Sequence, residues 1–207
     1  MIETNYHPDW QKNRIDFILS KYPKEFFKGK RVLELGAYNG YIGSRIAELG
    51  ADVLCLEGRN ENVFNIQRDY PNVKVELADL DTDVWRWGHW DIIINFGLFY
   101  HLEKHHKEHM KNCLDNCDIM LFESVVFNSH DNELYVATEY GNDQSLTDRA
   151  GTPSTSYVEN LFNESDVTYE KFTDSSLNGN NHHYDWVDTN TKVYNTWARR
   201  FWITKNK

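Results

Sequence analysis

Long apolar runs are missing from this 207-residue chain. Nothing approaches the ~20 residues that a membrane-spanning helix needs. The opening MIETNYHPDW has no apolar core of the kind an export signal carries. No membrane association is expected, and a cytoplasmic location is. Cysteine is scarce and odd in number: Cys55, Cys113 and Cys117. Cys55 sits in an apolar run and reads as a small buried hydrophobe. Cys113 and Cys117 lack the second pair that a zinc site would require. Blocks of Lys and Arg are absent as well. With 22 Lys and Arg against 32 Asp and Glu the formal charge is −10, so nothing draws the chain in bulk to phosphate backbones or anionic membranes. Nucleic acid is accordingly not expected as a partner. Internal repeats and linkers are missing too. That leaves a single domain over 1–207, long enough to bury a sizeable core; an oligomer is neither demanded nor excluded.

What the chain does have is one organising stretch, Arg31–Gly43, RVLELGAYNGYIG. An apolar run broken only by Glu34 reads as a buried strand. Gly36 and Gly40 bracket a turn, and Ile42, Ile46, Ala47 and Leu49 then recur at helical spacing. A strand feeding a glycine turn into a helix leaves free backbone N–H groups beside a cleft. Before it, 8–22 reads as a helix with Pro8 in its first turn and Trp10, Ile15, Phe17 and Ile18 on an apolar face. That face is expected to pack on the sheet rather than cover the cleft. Further strands are expected at 51–56, 73–78, 91–96 and 118–123, with helices at 61–70 and 101–116. Such alternation means a parallel sheet covered on both faces. Later come polar segments at 128–156 and 173–191. Within and after them, 134–140 reads as a short strand or flap and 156–162 as a helix capped by Thr155 or Ser156. Last strands are expected at 167–172 and 193–204.

Three features fall at the carboxyl ends of successive strands, where open α/β sheets bind ligands. Gly36–Gly40 follows the first. Glu57 follows the second, 21 residues past Gly36, near the ~20-residue spacing at which a carboxylate takes a ribose diol. Asp79-Leu80 follows the third and suits an adenine, with a carboxylate for the exocyclic amine and an apolar neighbour for the ring. Tyr38 stands at the first glycine position of a dinucleotide G-x-G-x-x-G, with Gly40 and Gly43 at the other two. That disfavours a pyrophosphate, and with it a nicotinamide dehydrogenase, but accommodates a smaller amino-acid tail.

Taken together, VLELGAYNG, Glu57, Asp79-Leu80 and INFGLFYHL resemble the motifs of class I S-adenosylmethionine-dependent methyltransferases. The likeness covers roughly 30–125, with 167–172 and 193–204 as the sixth and seventh strands. Tyr38 replaces the middle glycine of the first motif. The resemblance implies a Rossmann-like, doubly wound α/β fold. Its seven-stranded, mainly parallel sheet would run in the order 3-2-1-4-5-7-6, strand 7 antiparallel, with helices on both faces. It divides the chain into an N-terminal helix (1–30), a cofactor-binding half (31–125) and substrate-side loops with the last two strands (126–207). It implies S-adenosyl-L-methionine as cofactor and S-adenosyl-L-homocysteine as product. Carried over, Glu34 orders the turn and helps hold the methionine amino group. Gly36, Ala37, Tyr38 and Gly40 pass along methionine and ribose. Glu57, with Gly58 beside it, takes the ribose. Asp79 and Leu80 hold adenine, and Asn95, Phe96 and Gly97 lie near the sulfonium.

A sulfonium methyl is already activated, so alignment and exclusion of water carry much of the rate. A base assists when the acceptor is an O–H or N–H group. Candidates are His101, just past a strand end, and the late-loop pair His183 and Asp185, with His182 beside them. His101, His105 and His109 share one face of the expected helix at a spacing that can ligate zinc. No HExxH or Cys partner accompanies them, so no metal is expected. Arg199 and Arg200 fall on opposite faces of the last strand. One at most reaches a pocket, and a surface salt bridge is the expected use. The reading is an S-adenosylmethionine-dependent methyltransferase acting on an O or N atom of a small-molecule acceptor. Two alternatives stand beside it. One is a tRNA- or RNA-modifying methyltransferase, since the fourth motif also resembles that of tRNA wobble-base modifiers. The other is a protein that binds S-adenosylmethionine without catalysis.

Overall fold

The computed structural model describes residues 9–82, 84–141, 144–179, 181–192 and 198–206. Helix α1 (Asp9–Lys21) leads through a 3-10 turn (Lys24–Phe27) into strand β1 (Arg31–Leu35). There follow α2 (Tyr41–Ala47), β2 (Asp52–Glu57), α3 (Asn60–Asp69), β3 (Lys74–Leu77) and β4 (Trp90–Phe96). A 3-10 turn at Phe99–His101 precedes α4 (His106–Asp115) and β5 (Cys117–Val125). The strands β6 (Leu134–Thr138) and β7 (Arg149–Pro153) pair only with each other. The chain then runs through α5 (Thr155–Asn163), β8 (Val167–Phe172), a 3-10 turn at Ser175–Leu177 and β9 (Arg199–Asn206). Pro8 and the 193–197 part of the expected last strand lie outside the described residues.

The main sheet has the order β3-β2-β1-β4-β5-β9-β8. Strands β1 to β5 are parallel, and β9 runs antiparallel to both neighbours. This is the 3-2-1-4-5-7-6 arrangement implied by the motifs. Side chains alternate across a strand, so each central strand feeds two cores. Leu33, Ile93, Phe122 and Trp202 join Met110 and Leu114 of α4 and Val158 and Phe162 of α5 on one face. Val32, Ile92, Leu121 and Phe201 join Phe17 and Ile18 of α1 and Ile46 of α2 on the other. Burial on both faces is why these strands read as near-continuous apolar runs.

Several boundaries shift from the sequence reading, and two of the shifts have a visible cause. The helix expected from residue 101 begins at His106. The Asp81 carboxylate accepts the backbone N–H groups of Glu103, Lys104 and His105 at 2.9–3.2 Å, and Leu102 turns extended (ψ 149°). His101 is therefore not on one helical face with His109. The cap of α5 is Ser154, whose Oγ accepts the Tyr157 N–H at 3.0 Å; Thr155 is already inside the helix. Among the described residues no helix is long and apolar enough to cross a membrane.

Candidate functional site

The carboxyl ends of β1, β2 and β4 open onto one cleft, together with the loop after β3. The turn after β1 is closed by the N–H groups of Gly36 and Ala37, which both donate to the Leu56 carbonyl (2.9 and 3.1 Å). Gly36 has φ +66°, and a Cβ there would meet Leu98 at 3.1 Å, so conformation and space both require glycine. Tyr38 also sits at positive φ (52°), which costs a residue with a side chain. Its N–H donates to Glu57 Oε2 at 2.8 Å. Glu57 Oε1 accepts the Arg59 N–H (3.0 Å) and Asn62 Nδ2 (3.2 Å). Burial raises the Glu57 pKa, opposed by these donors. With one hydrogen-bond partner among the described residues, Oε2 keeps an acceptor position for a ligand hydroxyl.

Glu34 lies on the cleft floor. Its Oε2 accepts the Gly43 N–H (2.9 Å) and the Cys55 thiol (3.2 Å), tying the start of α2 to β1. Burial still pushes it up to about 7. Asp79 and Leu80 line the cleft, with the Asp79 carboxylate accepting the Asp81 N–H and the Thr82 hydroxyl. Ala37, Gly58, Phe96 and Gly97 line it as well. A Cβ on Gly97 would meet nothing nearer than 3.9 Å, with Glu123, Arg199 and Tyr100 at that limit, so the cleft is open there.

Gly40 and Asn95 do not line the cleft. Gly40 (φ +73°) begins α2, packed against Ile66 and Tyr70. Asn95 is fully buried, with Nδ2 2.9 Å from His109 Nε2; His109 Nδ1 in turn donates to the Leu80 carbonyl at 3.3 Å. Burial lowers His109 to about 4, so it is a neutral strut beneath the loop that carries Asp79.

The other wall is made by elements distant in sequence. Helix α1 does more than pack: Trp10, Gln11 and Arg14 face the cleft. Arg14 Nη2 donates to Glu123 Oε2 at 2.5 Å and Arg199 Nη1 to Glu123 Oε1 at 2.8 Å, with all three side chains buried. Burial alone would raise Glu123 and lower Arg199, but the mutual charges reverse both. Arg199 Nη2 also donates to the Tyr100 hydroxyl at 3.0 Å. Arg199 thus makes a buried ion pair, not the expected surface one. Alternation sends Arg200 the other way, onto the Trp186 ring at 3.5 Å.

The late loop inverts the sequence reading. His183 and Asp185 are exposed and do not line the cleft. His182 and Tyr184, alternating with them, turn inward. His182 stacks on Trp10 with ring centroids 5.1 Å apart. Burial, Arg199 and Arg14 hold it well below the ordinary histidine range. His101 lines the cleft beside Tyr100, its Nδ1 2.7 Å from Glu139 Oε2. The β6–β7 strap supplies that Glu139 and lays Gln144–Thr147 along the cleft. Of the groups missed in sequence, Arg14 left a trace as a charge four residues after Trp10 on an otherwise apolar helix face. The strap residues left none.

The sheet order and the carboxylates at its strand ends define a class: the chain has the fold of class I S-adenosylmethionine-dependent methyltransferases. The N-terminal domain of EvdMO1, solved with S-adenosylhomocysteine and D-fucose, superposes with a TM-score of 0.69 at 18% identity, over 97% of this chain and 83% of that one. An S-adenosylmethionine-dependent methyltransferase from Mesorhizobium loti does so at 0.66 and 12% identity, over 94% and 98%. No protein-family model matches the chain. A tRNA U34 carboxymethyltransferase from Pseudomonas putida (strain GB-1) is 27% identical over 146 residues, 65% of this chain and 43% of its own length. The chain thus spans under half the length of the curated relatives it matches. Those relatives are named for tRNA, which overturns the expectation that nucleic acid is not a partner. Net charge carries that expectation, and it measures bulk attraction rather than what one cleft recognises.

Proposed function

We propose that the chain binds S-adenosylmethionine in this cleft and transfers a carbon group from it to a nucleoside of RNA, with tRNA the first candidate. One observation carries the donor half: Glu57, at a strand end beside the glycine turn, is held between the Tyr38 and Arg59 N–H groups with one acceptor position left. The residues fit the donor. Asp79 and Leu80 take adenine, Glu57 a ribose hydroxyl, and the Gly36–Tyr38 turn and the open side of Gly97 the methionine end. When bound, the donor supplies a sulfonium whose carbon–sulfur bond breaks as the acceptor's heteroatom takes the carbon. His101 accepts the acceptor's proton at Nε2, while Trp10, Leu98 and Leu146 keep water out. The names of the curated relatives support the RNA half.

Calorimetry with S-adenosylhomocysteine tests the first half. Glu57→Ala should bind about 10-fold or more weakly, since a hydrogen bond to a charged group is worth ~1.5–3 kcal/mol; unchanged affinity sinks it. Transfer of label from radioactive S-adenosylmethionine to bulk tRNA tests the second, and intact donor binding with no labelled RNA would discard it.

A second reading of the donor follows from charge. Among the described residues Arg14 and Arg199 share one carboxylate, Glu123, so the trio carries one excess positive charge, with Arg199 at the open side of Gly97. A transferred group that itself bears a carboxylate, as the relatives' name describes, would be held there. A donor carboxylated on the transferred carbon should then bind more tightly than S-adenosylmethionine, and Arg199→Met should erase the preference.

A further inference from the structure

The β6–β7 strap touches both ends of the cleft at once. At one end Leu146 covers Gly58; a Cβ there would come within 2.8 Å of it. Beside it Arg59 Nη2 donates to the Gln144 carbonyl at 2.5 Å. At the other end Glu139 Oε2 lies 2.7 Å from His101 Nδ1 and accepts the Ser145 N–H at 3.0 Å. The Glu139 N–H donates to the Asp148 carbonyl at 2.9 Å, so the carboxylate is fixed from its own backbone as well. The strap is seated on the turn that carries His101. The Gly151 N–H donates to the Leu102 carbonyl at 2.8 Å, and a Cβ on Gly151 would strike the His106 ring at 2.5 Å. A hydrogen-bonded path therefore joins Glu57, Arg59, the 144–145 segment, Glu139 and His101.

We infer that Glu139 is a positioning residue for His101, delivered by the strap. This rests on the reading above that His101 is the base. An ionised carboxylate only accepts hydrogen bonds, so in neutral His101 the proton sits on Nδ1. Nε2 is left with its lone pair, the ring's side-chain hydrogen bond among the described residues being the one at Nδ1. In the transfer step the acceptor's O–H or N–H proton passes to Nε2. The acceptor's electron pair forms the new bond to carbon, and the pair of the broken carbon–sulfur bond stays on sulfur. His101 becomes an imidazolium whose charge Glu139 neutralises, the base-and-orienter arrangement of hydrolytic triads. Because Glu139 comes with the strap, the base is oriented only while the strap lies over the donor end.

Nitrogen-15 NMR of the imidazoles, with S-adenosylhomocysteine bound, reads this without turnover. His101 should be the Nδ1–H tautomer in the native protein, and Glu139→Ala should move the proton to Nε2. Glu139→Gln, whose amide oxygen still accepts, should keep Nδ1–H. In transfer assays Glu139→Ala should lower kcat by ~10²-fold while leaving KM for the donor within a factor of about two, and Glu139→Gln should recover part of the loss. An unchanged tautomer in Glu139→Ala, or equal losses in kcat and donor affinity, overturns the inference. A His101→Ala protein with undiminished kcat strikes instead at the base reading on which it rests, and separates that failure from this one.

Discussion

The two walls of the cleft are held together in different ways. On the strand-end wall, where the donor is proposed to bind, the fixing bonds join a carboxylate to backbone N–H groups a short way along the chain: Glu57 to Arg59 and Tyr38, separated by 2 and 19 residues, and Glu34 to Gly43, separated by 9. On the opposite wall they join side chains of distant elements. Arg14 and Glu123 are 109 residues apart, Arg199 and Glu123 76, and His101 and Glu139 38. A wall built from turns is robust to single substitutions elsewhere. A wall built from buried charges depends on each member, because removing one leaves another charge without its partner.

The largest test of that contrast is Glu123→Leu, which leaves two guanidiniums buried together. It should cost ~3–5 kcal/mol in urea unfolding. Arg199→Met leaves the neutral Arg14–Glu123 pair and should cost clearly less. Equal losses would mean that Glu123 is not shared.

Next comes the pH response of the donor side. Glu34 is raised by burial to about 7, above the unfolded range. The native protein therefore holds the extra proton between about 4.5 and 7, and stability falls as pH rises through that window. His109, lowered by burial to about 4, acts in the opposite sense: the native protein holds fewer protons between about 4 and 6.5, and stability rises there. A tenfold change in a group's proton affinity is worth ~1.4 kcal/mol. The two groups are displaced by similar amounts in opposite senses, so their contributions largely cancel. Glu34→Gln should unmask a rise in stability across about pH 4.5–6.5, and His109→Gln a fall; urea titrations at a series of pH values would show both.

Smaller still is the latch between the walls. Arg59→Ala removes the side-chain donor to Gln144 and Ser145. Amide exchange over 144–147 should quicken about 10-fold, the equivalent of ~1.4 kcal/mol of local stability, with the core strands unchanged. Ser154→Ala removes the α5 cap together with the Oγ bonds to the Asp131 carbonyl and the Glu133 N–H and should cost about 1–2 kcal/mol, measured by thermal melting.

The same contrast decides what is legible in sequence alone. The strands and helices of the first half, the Gly36–Tyr38 turn, and Glu57 and Asp79 at strand ends are legible, since periodicity and short-range spacing encode them; the strand order comes from the family resemblance alone. Motif matching assigns Gly40 and Asn95 to the cofactor, whereas neither lines the cleft in the structure: Gly40 caps α2 and Asn95 meets His109. Chemistry alone favours His183 and Asp185 over His182. A one-residue change of register decides which side chain faces inward, and spacing in a polar loop does not set that register. Arg14, Glu123 and Arg199 meet only through the tertiary fold, and no local pattern pairs them.

The position of β9 has a consequence in time. It slots between β5 and β8, so it enters a gap that earlier strands must leave open. During synthesis, with folding proceeding from the N-terminus, the strand-end wall of β1 to β4 can form while β5 still presents an unpaired edge. Such an edge is a template for aggregation, and it is sealed only when Arg199–Asn206 arrives. The strand that covers the β5 edge also brings Arg199 to Glu123, so sealing that edge and joining that ion pair are one event.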